Sequence, residues 1–227
     1  MQISIITLFP ELFISVFASS IIKRAQESKK ININIVDLRS FGLGVHKTVD
    51  DRPYGGGAGM ILRVDVLEKA ILDTKRGIKG EWVILLDPKG IPYHQKEAEK
   101  LSKLTHLILV CGHYEGFDER IRTIIDEEIS IGDYVLTGGE IPAMVVVDSV
   151  ARLIPGVLKK ESATANESFT GDKRILEYPH YTRPALYKKK GIPKELLSGN
   201  PKIINEFRLN ESLKLTKKRR PDILKEK

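Results

Sequence analysis

Two runs of this chain leave a fold little choice. Trp82-Val83-Ile84-Leu85-Leu86 and Leu107-Ile108-Leu109-Val110-Cys111 are unbroken apolar pentads that end in turn formers. Runs this short read as strands, and strands without polar alternation belong to a parallel sheet covered on both faces. The chain around them alternates to match. Ile3–Leu8, Ile31–Leu38 and Glu128–Ile131 read as further strands, with period-2 alternation in Ile31–Leu38. Glu11–Glu27, Val64–Lys75, Lys96–Lys103, Asp118–Ile125 and Ile141–Ile154 read as helices. The fold class is therefore α/β over residues 1–158.

Two of the strands run into glycine-punctuated turns, Cys111-Gly112-His113-Tyr114-Glu115-Gly116 and Ile131-Gly132-Asp133-Tyr134-Val135-Leu136-Thr137-Gly138-Gly139-Glu140. Glycine allows positive φ and close backbone approach, so two such turns at neighbouring strand ends could wall a pocket for a flat, polar ligand. Asp51-Arg52-Pro53-Tyr54-Gly55-Gly56-Gly57-Ala58-Gly59-Met60 is a third glycine cluster. It lacks the Lys-Ser/Thr ending of a Walker A loop and the G-x-G-x-x-G context of a nicotinamide site.

Residues 159–175 shift to small polar types without periodicity and read as a linker. Residues 176–227 read as a second, helical domain, with helices expected over Pro184–Lys190, Pro193–Leu197, Ile203–Thr216 and Pro221–Glu226. Charge divides the chain in the same way. Residues 186–227 hold 13 Lys and Arg against 5 Asp and Glu, whereas residues 1–185 hold 24 against 25. The whole excess of +7 thus comes from the last fifth, which suits a polyanion such as RNA or DNA, or else a solvated basic tail. The single cysteine, Cys111, excludes an internal disulfide and fits a reducing cytoplasm. No apolar run is long enough to span a membrane, and Met1–Leu8 does not read as a signal peptide. The five histidines lack zinc-ligand spacing.

Several side chains have two readings. Glu115 is either a pocket acid or a turn carboxylate capping the helix near Asp118. Arg152, among the apolar residues of Ile141–Ile154, either faces solvent or pairs with something. Glu167 and Asp172 are loop carboxylates that gain a role only where the loop folds over a substrate. His180 and Tyr181 can stack on nucleotides or simply build a turn.

The segments His46–Met60, Leu62–Asp65, Cys111–Arg120, Ile131–Ala143, Arg152–Leu158, Pro179–Pro184, Leu197–Pro201 and Arg219-Arg220-Pro221, taken together, resemble the bacterial tRNA (guanine-N1)-methyltransferase family, TrmD. The resemblance spans nearly the whole chain. It implies a SPOUT fold, a parallel α/β sheet with a deep trefoil knot, a rare exception to unthreaded topology. A small all-α carboxy-terminal domain and a homodimer are implied with it. It further implies S-adenosylmethionine held by Leu85, Leu86, Asp87 and Pro88, by Gly112, Tyr114 and Glu115, and by Ile131, Gly132, Tyr134, Leu136, Gly138, Gly139 and Pro142.

The reaction so implied is methylation of guanosine N1 at tRNA position 37. That nitrogen is protonated at neutral pH, so a base is needed at N1 and a cation near O6. By resemblance Arg152 is the cation and Glu167 the base, in Asn166-Glu167-Ser168-Phe169. Glutamate stands there where the family has aspartate, and Asp172 is the alternative. The family's magnesium implies a site on Glu115 and Glu167, and His113 stands where many members have arginine. Lys217, Lys218, Arg219 and Arg220 suit phosphate contacts. Two rival readings are a catalytically inert knotted RNA-binding protein and a SPOUT methyltransferase for another RNA.

Overall fold

The apolar pentads form the middle of a sheet. In the computed structural model, which describes residues 1–160 and 164–225, the chain divides into two compact units, Met1–Lys159 and Lys160–Lys227. The first unit begins with β1 (Gln2–Thr7), a 3-10 turn (Pro10–Phe13), α1 (Ile14–Phe17), α2 (Ser20–Glu27) and β2 (Asn32–Asp37). A two-stranded ladder of β3 (Asp50–Asp51) and β4 (Ile61–Leu62) follows, then α3 (Val64–Thr74), β5 (Glu81–Pro92), α4 (Gln95–Leu101) and β6 (His106–Cys111). A 3-10 helix (Glu119–Thr123), β7 (Glu127–Ser130) and α5 (Glu140–Ala151) complete it.

The main sheet has the order β2-β1-β6-β5-β7, and every neighbouring pair is parallel. All six residues of the central β6 are buried, as expected for a strand paired on both edges and covered on both faces. Alternate residues enter opposite core layers. Ile84, Leu86, Leu107, Leu109 and Cys111 pack with Ala143, Val146, Val147 and Val150 of α5. Val83, Leu85, Ile108 and Val110 pack with Val66, Leu67, Ala70 and Ile71 of α3. The edge strand β2 keeps its polar alternation.

At the amino ends of the strands a buried relay joins three of them. Ser4 Oγ lies 2.9 Å from His106 Nε2, and His106 Nδ1 lies 2.7 Å from Glu81 Oε2. Burial pushes the Glu81 carboxyl up, but amides of Arg76 and Gly77 together with His106 outweigh it and hold the group below the ordinary carboxylate range.

Several elements differ from sequence expectation, three of them in the first unit's helices and strand β5. The helix expected over Glu11–Glu27 is broken at Ala18-Ser19, where the Ser19 hydroxyl donates back to Ser15 O at 2.8 Å. The two pieces can then turn Phe13 and Phe17, and Ile22 and Ala25, separately into one core. Strand β5 runs on to Pro92 through a register shift against β7 between Leu86 and Ile91, at the Asp87-Pro88 turn. The helix expected over Asp118–Ile125 is a 3-10 turn capped by Asp118, whose carboxylate accepts from Arg120 N at 3.0 Å.

In the second unit, the helix expected over Pro184–Lys190 is a hairpin of β8 (Leu186–Tyr187) and β9 (Lys190–Gly191). Its two loop residues, Lys188 and Lys189, both have positive φ, as a tight hairpin turn requires. α6 (Lys194–Leu197) and α7 (Pro201–Arg219) follow, with Asn200 Oδ1 capping Lys202 N at 3.0 Å, then a 3-10 turn (Pro221–Leu224). Part of the expected linker (161–163) and Glu226 lie outside the described residues. Residues 164–175 of that linker are built into the second unit. Phe169 N donates to Ile175 O at 3.0 Å, and Leu176 N to Thr216 Oγ1 at 2.9 Å. No helix among the described residues is long and apolar enough to cross a membrane.

Candidate functional site

The carboxyl ends of β6 and β7 open into turns, which meet beside the register shift of β5 at Asp87–Lys89. Gly139 N donates to Gly112 O at 2.7 Å, and His113 and Gly138 form an isolated antiparallel bridge. A Cβ on Gly139 would stand 2.6 Å from Gly112 N and 2.7 Å from the Cys111 Cα, so only glycine permits this approach. Tyr114 has φ 58, an uncommon conformation for a bulky residue, and it turns the chain back so that Gly116 N reaches His113 O at 3.1 Å. In the third turn Asp87 Oδ1 accepts from Lys89 N at 2.9 Å. In the longer loop Tyr134 Oη donates to Ile131 O at 3.2 Å, and Ser130 Oγ to Gly132 O at 3.1 Å.

Together these turns bound a cleft of about 250 Å³. Every residue expected to hold the cofactor lines it except Leu85. Strand alternation sends the Leu85 side chain into the layer with Val83 and Val110, away from the cleft. Residues that motif reading did not assign to the cleft also line it, among them Lys89, Phe117, Ile129, Ser130 and Thr137. Period-2 alternation along β5 and β7 was the available signal for Ile129. His113 lines the cleft as well, beside Phe9 and Tyr114 at ring separations of 4.9 and 4.7 Å.

Beneath the cleft lies a polar pair that no motif announced. Glu140, in the first turn of α5 and 4% exposed, accepts from Thr7 Oγ1 at 2.7 Å. Burial, reinforced by Glu140, pushes the Cys111 thiol well up, so the cysteine is a neutral packing residue rather than a nucleophile. The Gly55–Gly59 cluster leads onto the rim of the cleft. Glu115 N donates to Met60 O at 3.0 Å, and a Cβ on Gly59 would meet the Glu115 side chain at 2.5 Å. Glu115 therefore lines the cleft, and Asp118 supplies the cap that Glu115 could have been.

Arg152 lies just past the end of α5, which stops three residues short of the expected Ile154, and its amide donates to Asp148 O at 3.3 Å. Glu167 and Asp172 belong to the other unit, where they line one cavity with Tyr178 and Arg208. His180 is paired with Glu177 at 2.9 Å, and Lys217, Lys218 and Arg219 stand exposed on the last turn of α7.

A parallel sheet whose turns interlock around a cleft of backbone groups, apolar faces and two acids, Asp87 and Glu115, defines an α/β protein with a cleft suited to a nucleotide-like small molecule. The chain belongs to the family described as tRNA (Guanine-1)-methyltransferase TrmD, whose model matches residues 1–226. It is 53% identical over 227 residues to a tRNA (guanine-N(1)-)-methyltransferase of Geobacillus kaustophilus, covering 100% of this chain and 92% of that protein. It is 50% identical over 228 residues to the protein of that name from Bacillus subtilis, covering 100% and 93%.

Proposed function

We propose that this protein methylates N1 of guanosine in tRNA, at position 37, with S-adenosylmethionine bound in the cleft. The observation that carries the reading is the interlock of the Gly112 and Gly139 turns around that cleft, in a chain that matches the family along its length. The residues present fit such a cofactor. Backbone groups of two glycine turns face the cleft, Leu86, Leu136 and Pro142 offer apolar walls, and Glu115 adds an acid for a cationic centre. S-adenosylmethionine would supply the methyl electrophile.

The chain's own residues must then make guanine N1 nucleophilic. Glu167 accepts the N1 proton, and charge that builds toward O6 is met by the Arg152 guanidinium. Lys217, Lys218 and Arg219 take RNA phosphates, which set affinity and register but not the choice of base. A magnesium ion on Glu115 and Glu167 finds little support. Among the described residues no three acidic, imidazole or thiol side chains gather as a metal cluster.

The reading carries with it the knotted topology of the family, a cytoplasmic location and a homodimer. Exposed apolar residues in Met1–Lys159 give the dimer its support. Ile14 is 68% exposed and Ile141 54%, and a dimer would give such side chains cover.

The test is transfer of labelled methyl from S-adenosylmethionine to tRNA transcripts with guanosine or adenosine at position 37. Label is expected on the guanosine transcript alone. Glu167→Gln should lower the single-turnover rate by ~100-fold or more, the low end for a general base, and leave cofactor affinity unchanged. An unaltered rate would pass the role to Asp172.

A further inference from the structure

We propose that Glu140 is a positioning residue for S-adenosylmethionine, acting through a hydrogen bond from His113 Nδ1 to its Oε2 that closes over Gly138 as the cofactor binds. The inference rests on the reading above and deepens it. Every group it uses belongs to Met1–Lys159.

Gly138 is the first observation. It does not have positive φ, so backbone conformation does not demand glycine there. Space does. A Cβ at Gly138 would collide with Glu140 Oε2 and stand 2.9 Å from His113 Nδ1. A carboxylate oxygen and an imidazole nitrogen thus close on one point above the same Cα.

The two side chains are held by different means. Thr7 Oγ1 donates to Glu140 Oε1 at 2.7 Å and accepts from Phe9 N at 2.9 Å, which ties the carboxylate to the end of β1. Oε1 is thereby occupied, and Oε2 is the oxygen that points at Gly138. His113 is seated by shape. Its ring packs against Phe9 and meets Tyr114 at 78° between planes, and its backbone bridges to Gly138. Its Nδ1 is buried and has no hydrogen-bond partner among the described residues. A buried polar atom without a partner carries a desolvation cost, and the acceptor that would remove it lies on the other side of Gly138.

Closing this bond would join the elements that shape the cleft. His113 stands in the turn after β6, Gly138 in the loop after β7, and Glu140 in the first turn of α5. His113 and Gly138 both line the cleft, whereas Glu140 lies beneath it. A ligand that settles against the His113–Gly138 bridge therefore presses the imidazole toward a carboxylate fixed in the core. The bond requires the tautomer that carries its proton on Nδ1.

The test measures S-adenosylmethionine binding to the full chain by calorimetry, with melting temperature recorded in the presence and absence of the cofactor. His113→Phe keeps a ring between Phe9 and Tyr114 and removes the donor. Its affinity should fall by about 10-fold or more, the worth of a hydrogen bond to a carboxylate. Its melting temperature without cofactor should hold or rise, because no unpaired nitrogen is buried. His113→Asn returns an N–H near the Nδ1 position and should recover part of the affinity. In Glu140→Met, adding His113→Phe should cost no further affinity, as expected of two partners in one bond. In the unaltered protein the cofactor should fix the proton on Nδ1, read in the imidazole 15N signals that His113→Asn removes. Equal affinity in His113→Phe and the unaltered protein would overturn the proposal. So would a drop in cofactor-free melting temperature that accompanies the lost affinity, which would make His113 a packing residue only. Failure of the unaltered protein to bind S-adenosylmethionine would instead defeat the cofactor reading itself, and this proposal with it.

Discussion

The two units of this chain are held together by different forces. Among the described residues, every fully buried apolar side chain lies between Ile3 and Ala151. Among the described residues of Lys160–Lys227, only Ser212 and Thr216 are buried. Its remaining order comes from contacts such as Arg174 Nη1 donating to Phe169 O at 3.1 Å and Arg220 over the Phe169 ring at 5.6 Å. Apolar burial is non-directional and large, whereas single hydrogen bonds and exposed charge contacts each contribute about 1 kcal/mol or less. A backbone-built cofactor cleft therefore sits on the unit that can hold backbone rigidly. The cavity with two candidate bases sits on a unit whose arrangement depends on a few polar anchors.

This contrast is broken most severely by emptying the core of the first unit. Leu109→Ala in central β6 should cost about 2–5 kcal/mol in urea unfolding, whereas Leu209→Ala, on α7 and 41% exposed, should cost well under 1 kcal/mol. Similar losses at the two positions would show that the second unit has a core of its own. Gly139→Ala comes next. Its Cβ would press on the Gly112 amide, and overpacking of that kind costs about 1–3 kcal/mol. The loss should appear in S-adenosylmethionine affinity by calorimetry as well as in stability. Normal cofactor affinity would mean that the cleft does not depend on the interlock.

The same division explains what could be read from sequence. The central strands were legible because burial on both faces leaves nothing but apolar residues, and their turns because glycine marks close backbone approach. Leu85 was misplaced only in orientation, since motif membership does not say which side of a strand a residue faces. Glu140 and Thr7 gave no signal. A buried carboxylate looks like any helix-start acid until β1 is known to end beside α5. In the second unit the hairpin at Leu186–Gly191 escaped reading because neither loop position is glycine or asparagine, although Lys188 and Lys189 both take positive φ. Arg208 looked like one more basic residue of a basic tail. Its place in the cavity with Glu167 and Asp172 becomes visible only once the 165–178 loop is seen folded against α7.

The smallest expected effect sharpens the comparison furthest. Thr216 donates to Ser212 O at 2.7 Å within its own helix and accepts from Leu176 N, forty residues away, at 2.9 Å. Thr216→Val keeps the shape but removes the acceptor, leaving the Leu176 amide without its partner. The cost should be about 1–2 kcal/mol, confined to the second unit. Global urea unfolding of the Met1–Lys159 core should therefore change little, while hydrogen exchange at Leu176 and along residues 165–178 should accelerate. Methyl transfer should slow and cofactor affinity should stay as it was, because the candidate bases ride on the loop that Thr216 holds. Thr216→Ser restores the acceptor and should restore both exchange protection and rate. If Thr216→Val left exchange in the loop unaltered, this hydroxyl would not be what orders it, and the contrast between a core-held and an anchor-held unit would lose its clearest instance.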